Sequence, residues 1–325
     1  MRDFRDITGR LPTRTDATTA QYQKTASMLH KQASSDTFDD VLARLDTTIT
    51  WFIAQNQRWK PATLRQYRAA LRLAIEDAVA HNRAGRERVD TWYQLIETAP
   101  APLDDTRVRR TSARKRKNIR VSERDTLVRY LEKQGGKTNR LLSHIVNCLP
   151  VLGLRPCEIF GAEFDGTTLT VRCAKDTNGR SIGETREITV KSVVLKHVVK
   201  HMLKELKDFQ IHNLTDAQRL QARLAKTLER ACKACGIKKI SLYTLRHQAL
   251  ANAKRTLEPA EASALAGHAS QSTIIKNYAT RRSGWKIKPL IAIDPGLAAK
   301  VRGDVTSYSI RCERVAPSPS PSPFR

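Results

Sequence analysis

A block of positive charge near the middle of the chain limits the folds that this sequence can adopt. The block, residues 107–120, holds eight lysines and arginines and follows the helix-breaking run Ala99-Pro100-Ala101-Pro102. Because such a block cannot pack into an apolar core, it predicts a linker between two domains, and 325 residues are enough for two. We expect a flexible N-terminus (1–14), a helical domain (15–98), a basic linker (99–120), a second domain (121–290), and a C-terminal segment with a disordered Pro/Ser tail (291–325).

The hydrophobic pattern predicts helices in both domains and strands only in the second. Residues 64–79 repeat apolar side chains at helical spacing. In the second domain, Thr168–Cys173 and Arg186–Val190 have the composition of strands, and turn-forming residues separate them. The sequence therefore predicts a mostly α fold with a small β-sheet or hairpin in the second domain.

The net charge favours a nucleic acid as the partner. The sequence has 58 lysines and arginines against 32 aspartates and glutamates, a formal charge of +26, which a polyanion would neutralise. An anionic membrane surface is the weaker alternative, because the sequence has no lipidation motif and no basic amphipathic helix with a broad aromatic face. The lack of an apolar run of about 18 residues excludes a membrane span. Six scattered cysteines and a start without an apolar signal region suit a reducing cytosol. We therefore expect a cytoplasmic, nucleoid-associated protein.

Two groups of basic residues are candidates for contact with DNA phosphates. The first lies along one face of a predicted helix in the first domain, where a solvated surface is the equally good alternative. The second is the linker, whose charge is typical of a nucleic-acid arm or a tether. The candidates are Arg65, Arg68, Arg72, Arg107, Arg109, Arg110, Arg114, Lys115, Arg116 and Lys117.

Four segments of the second domain carry side chains suited to phosphoryl transfer. Two arginines can clamp the non-bridging oxygens of a phosphodiester, and a lysine can protonate a leaving oxygen. A histidine can donate to the same phosphate, and a tyrosine hydroxyl can be the nucleophile. These residues are Arg155, Lys175 in the turn between the strands, Arg246, His268, and Tyr278 ten residues after the histidine. No carboxylate cluster or phosphate-binding glycine loop accompanies them, so we expect neither a metal nor a cofactor.

Taken in order, these segments resemble the motifs of the tyrosine recombinase, or phage integrase, family. The resemblance covers residues from about 120 to about 285. It implies a two-domain DNA clamp, with a helical core-binding domain and a catalytic domain, that cuts and rejoins DNA in integration, excision or resolution. The site residues that it implies are Arg155, Lys175, Tyr243, Arg246, His268 and the nucleophile Tyr278, with Glu158 supporting the first arginine.

The same resemblance implies the partners. They are double-stranded DNA with an inverted-repeat recombination site and three further copies of the chain, which would form a homotetramer on two duplexes. An accessory DNA-binding protein is a further candidate.

The segment that holds Arg246 departs from the family motif at one position. The family usually has a histidine where this sequence has Tyr243, and tyrosine is a poor base near neutral pH because its reference pKa is ~10. His247, one residue after Arg246, should point elsewhere on a helix and is not expected to replace that histidine.

A type IB topoisomerase and a non-catalytic DNA-binding regulator are the alternative functions, and each candidate residue taken alone would more often be structural.

Two other patterns point weakly to metal binding. Cys232 and Cys235 form a Cys-x-x-Cys pair without a second pair nearby, and His197 and His201 lack a third ligand. Because a zinc site needs about four ligands, free thiols and surface histidines are the preferred interpretation.

Overall fold

The computed structural model of the chain describes residues 14–34, 40–55, 58–81, 84–98, 116–174 and 181–303. The chain divides into two units, residues 1–111 and 112–325. Some of the candidate residues lie outside the described ranges, namely Arg107, Arg109, Arg110, Arg114, Lys115 and Lys175. The predicted Pro/Ser tail also lies outside them.

The described part of the first unit is built from four helices. They are α1 (Asp16–Ala33), α2 (Val41–Gln55), α3 (Pro61–Ala80) and α4 (Arg86–Thr98). The Thr15 hydroxyl caps α1 by accepting from the backbone N–H of Thr18, and Pro61 stands in the first turn of α3, where an N–H is not needed. Apolar side chains from all four helices form the core, among them Leu29, Phe52, Leu71, Ile75 and Trp92.

The second unit is larger and has eight helices in its described part. They are α5 (Val121–Gln134), α6 (Lys137–Leu152), α7 (Val193–Lys207), α8 (Leu214–Ala234), α9 (Leu242–Thr256), α10 (Pro259–Leu265), α11 (Gln271–Asn277) and α12 (Pro295–Ala299). Most of α9 and the second half of α6 are buried, so these two helices form the centre of the unit. No helix in the described ranges is long and apolar enough to cross a bilayer.

A four-stranded antiparallel sheet completes the second unit. The strands β1 (Glu163–Phe164), β2 (Thr168–Arg172), β3 (Thr185–Val190) and β4 (Ile291–Ile293) lie side by side in sequence order. Leu169 of β2 pairs with Ile188 of β3, and Val190 pairs with Ile291 of β4. Side chains alternate along β3, so that residues 186, 188 and 190 are buried. The predicted fold class, mostly helical with a small sheet, is confirmed.

Two segments lie in the second unit although the sequence analysis placed them outside the second domain. Strand β4 follows residue 290 and closes the sheet. At the other end, Ile119 is buried; its N–H donates to Gln248 Oε1 at 3.0 Å, and its carbonyl accepts from Trp285 Nε1 at 2.8 Å. Ile119 belongs to this unit because its apolar side chain is buried there and both of its backbone groups have partners there. The basic residues that surround Ile119 in the sequence do not indicate these contacts.

Candidate active site

Arg155 reaches the interior because the chain turns sharply after α6. Gly153 ends that helix with a φ of +68°, a left-handed conformation that favours glycine. Arg155 then precedes a 3-10 turn (Pro156–Gly161), and its backbone N–H donates to Glu158 Oε2 at 2.7 Å. Its guanidinium donates to the other oxygen, with Nη1 2.5 Å from Oε1. The Glu158 carboxylate therefore holds both the backbone and the side chain of Arg155.

Arg246 lies on α9 and contacts the segments that hold Arg155 and His268. Its Nη1 donates to the Gly153 carbonyl at 2.5 Å, and its Nη2 donates to the Ala266 carbonyl at 2.8 Å. The same Nη1 lies 3.6 Å from Glu158 Oε2. One buried side chain thus ties the ends of α6 and α10 to α9.

Arg186, which the sequence analysis did not identify as a site residue, is buried beside the same carboxylate. Its Nη2 donates to Glu158 Oε2 at 2.7 Å and its Nε donates to the Leu265 carbonyl at 3.0 Å. Its Nη1 lies 3.5 Å from Cys173 Sγ. Strand alternation carries a signal that could have found it, because residue 186 shares a face with the apolar residues 188 and 190.

Glu158 therefore lies among three guanidinium groups. The exposed fractions of Arg155, Glu158, Arg186 and Arg246 are 5%, 4%, 1% and 0%. Burial alone would raise the pKa of the Glu158 carboxyl, but the charge of Arg186, and after it those of Arg155 and Arg246, lower that pKa to about 2. Three positive charges face one negative charge in this cluster, so it is electrostatically suited to an anion.

A glycine brings His268 to the same cluster. Gly267 has a φ of +67°, and a Cβ at this position would lie 3.2 Å from Arg186 Nη1, so both conformation and space favour glycine. His268 Nε2 lies 3.5 Å from Arg246 Nη2. Because a guanidinium cannot accept a hydrogen bond, Nε2 is the acceptor in this contact, and the neutral ring carries its proton on Nδ1.

His268 is uncharged at neutral pH. Burial, and then the charges of Arg246, Arg155 and Arg186, lower the pKa of its imidazole to about 3. The Nδ1 atom is buried and has no hydrogen-bond partner in the described part of the chain. The ring therefore presents one N–H donor that a bound group can use.

Tyr278 follows α11 and brings its hydroxyl to Arg246. The Tyr278 hydroxyl oxygen accepts from Arg246 Nε at 3.3 Å, and the Arg246 Cζ lies 5.4 Å from the ring centroid. The His268 ring lies on Tyr278 at a centroid distance of 5.4 Å. The structure thus brings together Arg155, Glu158, Arg246, His268 and Tyr278 of the residues predicted from sequence.

The segment that carries Tyr278 is attached to the rest of the unit on both sides. Before it, the Ala269 carbonyl accepts from the backbone N–H of Arg302 at 2.9 Å. After it, the Ala279 carbonyl accepts from Lys254 Nζ at 2.9 Å, and the Trp285 N–H donates to Asn252 Oδ1 at 2.7 Å. Both later bonds go to α9, the helix of Arg246.

The expectation that His247 points away from the site is wrong. Its ring contacts the Tyr278 ring at a centroid distance of 5.0 Å. The reason is that Tyr278 lies across α9 and covers positions 246 and 247 together, which helical spacing within α9 alone does not reveal. Burial, and then the charges of Lys117, Arg246 and Lys254, lower the pKa of His247 to about 4. Its buried Nδ1 has no hydrogen-bond partner among the described residues.

Tyr243, the residue that departs from the family pattern, lies at the surface of the site. Its side chain is 47% exposed and makes no hydrogen bond within the described ranges. Partial burial, and then the nearby Cys157 thiol, raise the pKa of its hydroxyl, although the charges of Arg246 and Arg155 act in the opposite direction. Tyr243 is therefore a hydrogen-bond donor and not a base at neutral pH.

The candidate DNA-binding residues differ in how much of their charge is already paired. Arg65 is exposed, whereas Arg68 and Arg72 are half-buried, and Arg72 Nη2 donates to Glu97 Oε1 at 2.8 Å. Arg116 forms an ion pair with Glu123 and donates to the Lys238 carbonyl at 3.1 Å. Arg116 therefore helps to attach the linker end to the second unit.

No group of three histidine, cysteine, aspartate or glutamate side chains in the described ranges is placed to hold a metal ion. Cys232 is buried and Cys235 is half-buried, and both are free thiols. Burial raises the pKa of each of these two thiols.

Comparison with known proteins rests on structure. No model of a known protein family matches the sequence, and no curated protein matches it. A lambda integrase tetramer bound to a Holliday junction matches at 15% identity and a TM-score of 0.52, over 85% of this chain and 75% of the other. A lambda integrase dimer bound to a COC' core site matches at 15% identity and a TM-score of 0.50, over 84% and 75%. The chain therefore has the fold of the tyrosine recombinases.

Proposed function

We propose that this protein is a site-specific DNA recombinase that cuts and rejoins strands through a 3′-phosphotyrosine. The observation that carries the proposal is the hydrogen bond from Arg246 Nε to the Tyr278 hydroxyl, inside a cluster with excess positive charge. A phosphate bound by Arg155 and Arg246 would lie next to that hydroxyl. The fold shared with lambda integrase supports the same conclusion.

In the proposed reaction, Tyr278 Oη attacks the scissile phosphorus and the bond from phosphorus to O5′ breaks. The arginines neutralise the charge that grows on the non-bridging oxygens, and His268 donates Nδ1–H to one of them. The proton of Tyr278 leaves to water or to the phosphate. Lys175, which lies outside the described residues, supplies a proton to O5′. The 5′-hydroxyl of a partner strand then attacks the phosphotyrosine and reseals the DNA.

The proposed partners follow from this chemistry. Each site holds one phosphate, so the exchange of two duplexes requires four copies of the chain on an inverted-repeat site, as in the lambda integrase tetramer on its Holliday junction. The exposed Arg65 and the basic linker are proposed to neutralise backbone phosphates.

The test is a covalent adduct. Duplexes that the protein selects from a random-sequence library, nicked close to the bound site, should give an SDS-resistant protein–DNA adduct. Tyr278→Phe should bind these duplexes and form no adduct. Tyr130→Phe, a half-buried tyrosine of α5, is the matched control and should form the adduct at the normal rate. An adduct with Tyr278→Phe would assign the nucleophile elsewhere.

The two alternative functions give different outcomes in the same assays. A type IB topoisomerase would relax supercoiled plasmids regardless of sequence and without assembly. If the protein were a non-catalytic regulator, the natural protein would protect its DNA site from nuclease and yet form no adduct. The argument for this alternative is the surface position of Tyr243.

A further inference from the structure

Arg186 bonds to two of the segments that hold the proposed catalytic residues. Through Nη2 it bonds to Glu158, three residues after Arg155, and through Nε it bonds to the Leu265 carbonyl, three residues before His268. Its Nη1 faces Cys173 Sγ, and unlike Arg246 it makes no contact with Tyr278 in the described part of the chain. Its effect on the reaction must therefore act through other residues.

The geometry around Glu158 shows what Arg186 controls. Each carboxylate oxygen has one close guanidinium: Oε1 accepts from Arg155 at 2.5 Å and Oε2 accepts from Arg186 at 2.7 Å. Arg246 Nη1 lies farther away, at 3.6 Å from Oε2, and donates instead to the Gly153 carbonyl. Arg186 thus occupies the oxygen that Arg246 would otherwise approach.

We propose that Arg186 is a positioning residue for strand cleavage, which by occupying Glu158 Oε2 keeps Arg246 directed at Tyr278 and the bound phosphate. This inference rests on the proposed function. If Arg186 were absent, Glu158 Oε2 would keep only its bond from the Arg155 backbone N–H, and Arg246 would move toward this oxygen, so that its Nε would leave the Tyr278 hydroxyl. The net charge of the cluster would also fall from two positive charges to one, which weakens its attraction for a phosphate.

The first experiment measures cleavage. Single-turnover adduct formation by Arg186→Met should be slower by about 10²-fold, the effect of a displacement of about 1 Å in a catalytic group, while DNA affinity changes by a few-fold at most. Glu187→Gln is the matched control, because Glu187 is the exposed neighbour on the same strand, and it should cleave at the natural rate. Cleavage by Arg186→Met at the natural rate would overturn the proposal.

A double variant separates positioning from a general loss of structure. If Arg186 acts through the charge of Glu158, then Arg186→Met combined with Glu158→Gln should cleave no more slowly than Glu158→Gln alone. Losses that simply multiply would overturn the proposal. Should Arg186→Met not fold, Arg186→Lys replaces it. Arg186→Lys should cleave about tenfold more slowly, because one ammonium cannot reach both the Leu265 carbonyl and Glu158 Oε2, and an unchanged rate would contradict the proposal.

The last experiment does not depend on activity. The carboxyl carbon of Glu158, followed by NMR as the pH falls, should show a pKa in Arg186→Met that has moved up from about 2 toward the ordinary 4.5. An unchanged titration would overturn the assignment of Arg186 to Glu158. If the natural protein forms no adduct, the proposed recombinase function fails. This titration would then still decide whether Arg186 controls the carboxylate.

Discussion

The two units of the chain differ in how deeply they bury charged side chains. In the first unit, the ion pairs of Arg72 with Glu97 and of Arg88 with Asp46 have side chains that are 38–58% exposed, and even those of Arg14 and Glu76 are 19% and 11% exposed. In the second unit, four charged side chains are no more than 5% exposed. Burying charge lowers stability unless every group is paired. The proposed function accounts for this difference, because the cluster around Glu158 would bind the scissile phosphate, whereas the first unit's ion pairs lie nearer its surface.

The largest expected effect comes from removing the negative charge at the centre of the cluster. Glu158→Ala leaves Arg155, Arg186 and Arg246 buried without their common partner, which should lower the free energy of unfolding of the second unit by about 3–5 kcal/mol. Urea denaturation followed by the fluorescence of Trp285, which is buried in this unit, measures it. A loss below about 1 kcal/mol would mean that the cluster is solvated like the first unit's ion pairs.

Removing the hydroxyl of one tyrosine in each unit, Tyr243 and Tyr93, should have different effects on cleavage and stability. Tyr243→Phe should slow strand cleavage by about 30- to 10³-fold, equivalent to 2–4 kcal/mol for one transition-state hydrogen bond, with little change in stability. Tyr93→Phe in the first unit should leave cleavage unchanged and raise the unfolding free energy by about 1 kcal/mol, because the Tyr93 hydroxyl is buried without a partner among the described residues.

Tyr243→His is the complementary variant and should remain active. Between about pH 6 and 8, ionisation of residue 243 should not affect the single-turnover cleavage rate of the natural protein. In Tyr243→His, the rate should change with pH as the new histidine titrates. Natural-rate cleavage by Tyr243→Phe would show that residue 243 only packs against its neighbours.

Acid should weaken the second unit through His268. Its folded-state pKa of about 3 lies below the ordinary 6.5, so the unfolded chain binds the proton first as the pH falls. The group therefore costs no stability above about pH 7, and stability falls from pH 6.5 toward pH 3 by up to ~1.4 kcal/mol per pH unit. His268→Gln should flatten this dependence in urea denaturation.

The first unit provides the matched control for this pH dependence. Burial, and then the charge of Arg44, lower the pKa of His30 as well, so His30→Gln should flatten the pH dependence of the first unit alone. An effect of His268→Gln on the first unit, or none on the second, would contradict the assignment.

The smallest effect is expected on the surface of the first unit. Glu97→Ala removes the partner of Arg72, and because both side chains are more than a third exposed, it should lower the unfolding free energy by no more than about 1 kcal/mol. The loss should shrink further as salt is added. A loss as large as that of Glu158→Ala would remove the contrast between the two units.

The sequence predicted best those features that depend on the order and spacing of residues along the chain. The helical faces and the two long strands could be predicted from residue spacing and type. The grouping of Arg155, Arg246, His268 and Tyr278 could be predicted from the resemblance to the tyrosine recombinase motifs. Arg186 was missed although strand alternation places it on the buried face of β3, because an arginine on a strand is ordinarily exposed and its partner Glu158 is 28 residues away.

Other features depend on contacts that no local pattern contains. Strand β4 is only three residues long, and it forms because β3 offers it an edge. The contact of His247 with Tyr278 depends on how the end of α11 is placed against α9. The attachment of Ile119 depends on Gln248 and Trp285, which are more than a hundred residues away.

The hydrogen bonds that join the segment after Tyr278 to α9 have a mechanical consequence. In the proposed intermediate, the cut DNA end is joined covalently to the protein only through Tyr278, so tension or torque in the duplex pulls on this residue. The bonds from Lys254 to the Ala279 carbonyl, from Gln248 to the Ser283 carbonyl and from the Trp285 N–H to Asn252 pass that load into α9. Because Arg246 lies on the same helix, the nucleophile and its guanidinium partner would be displaced together under load. The broken end would thus stay in register for resealing.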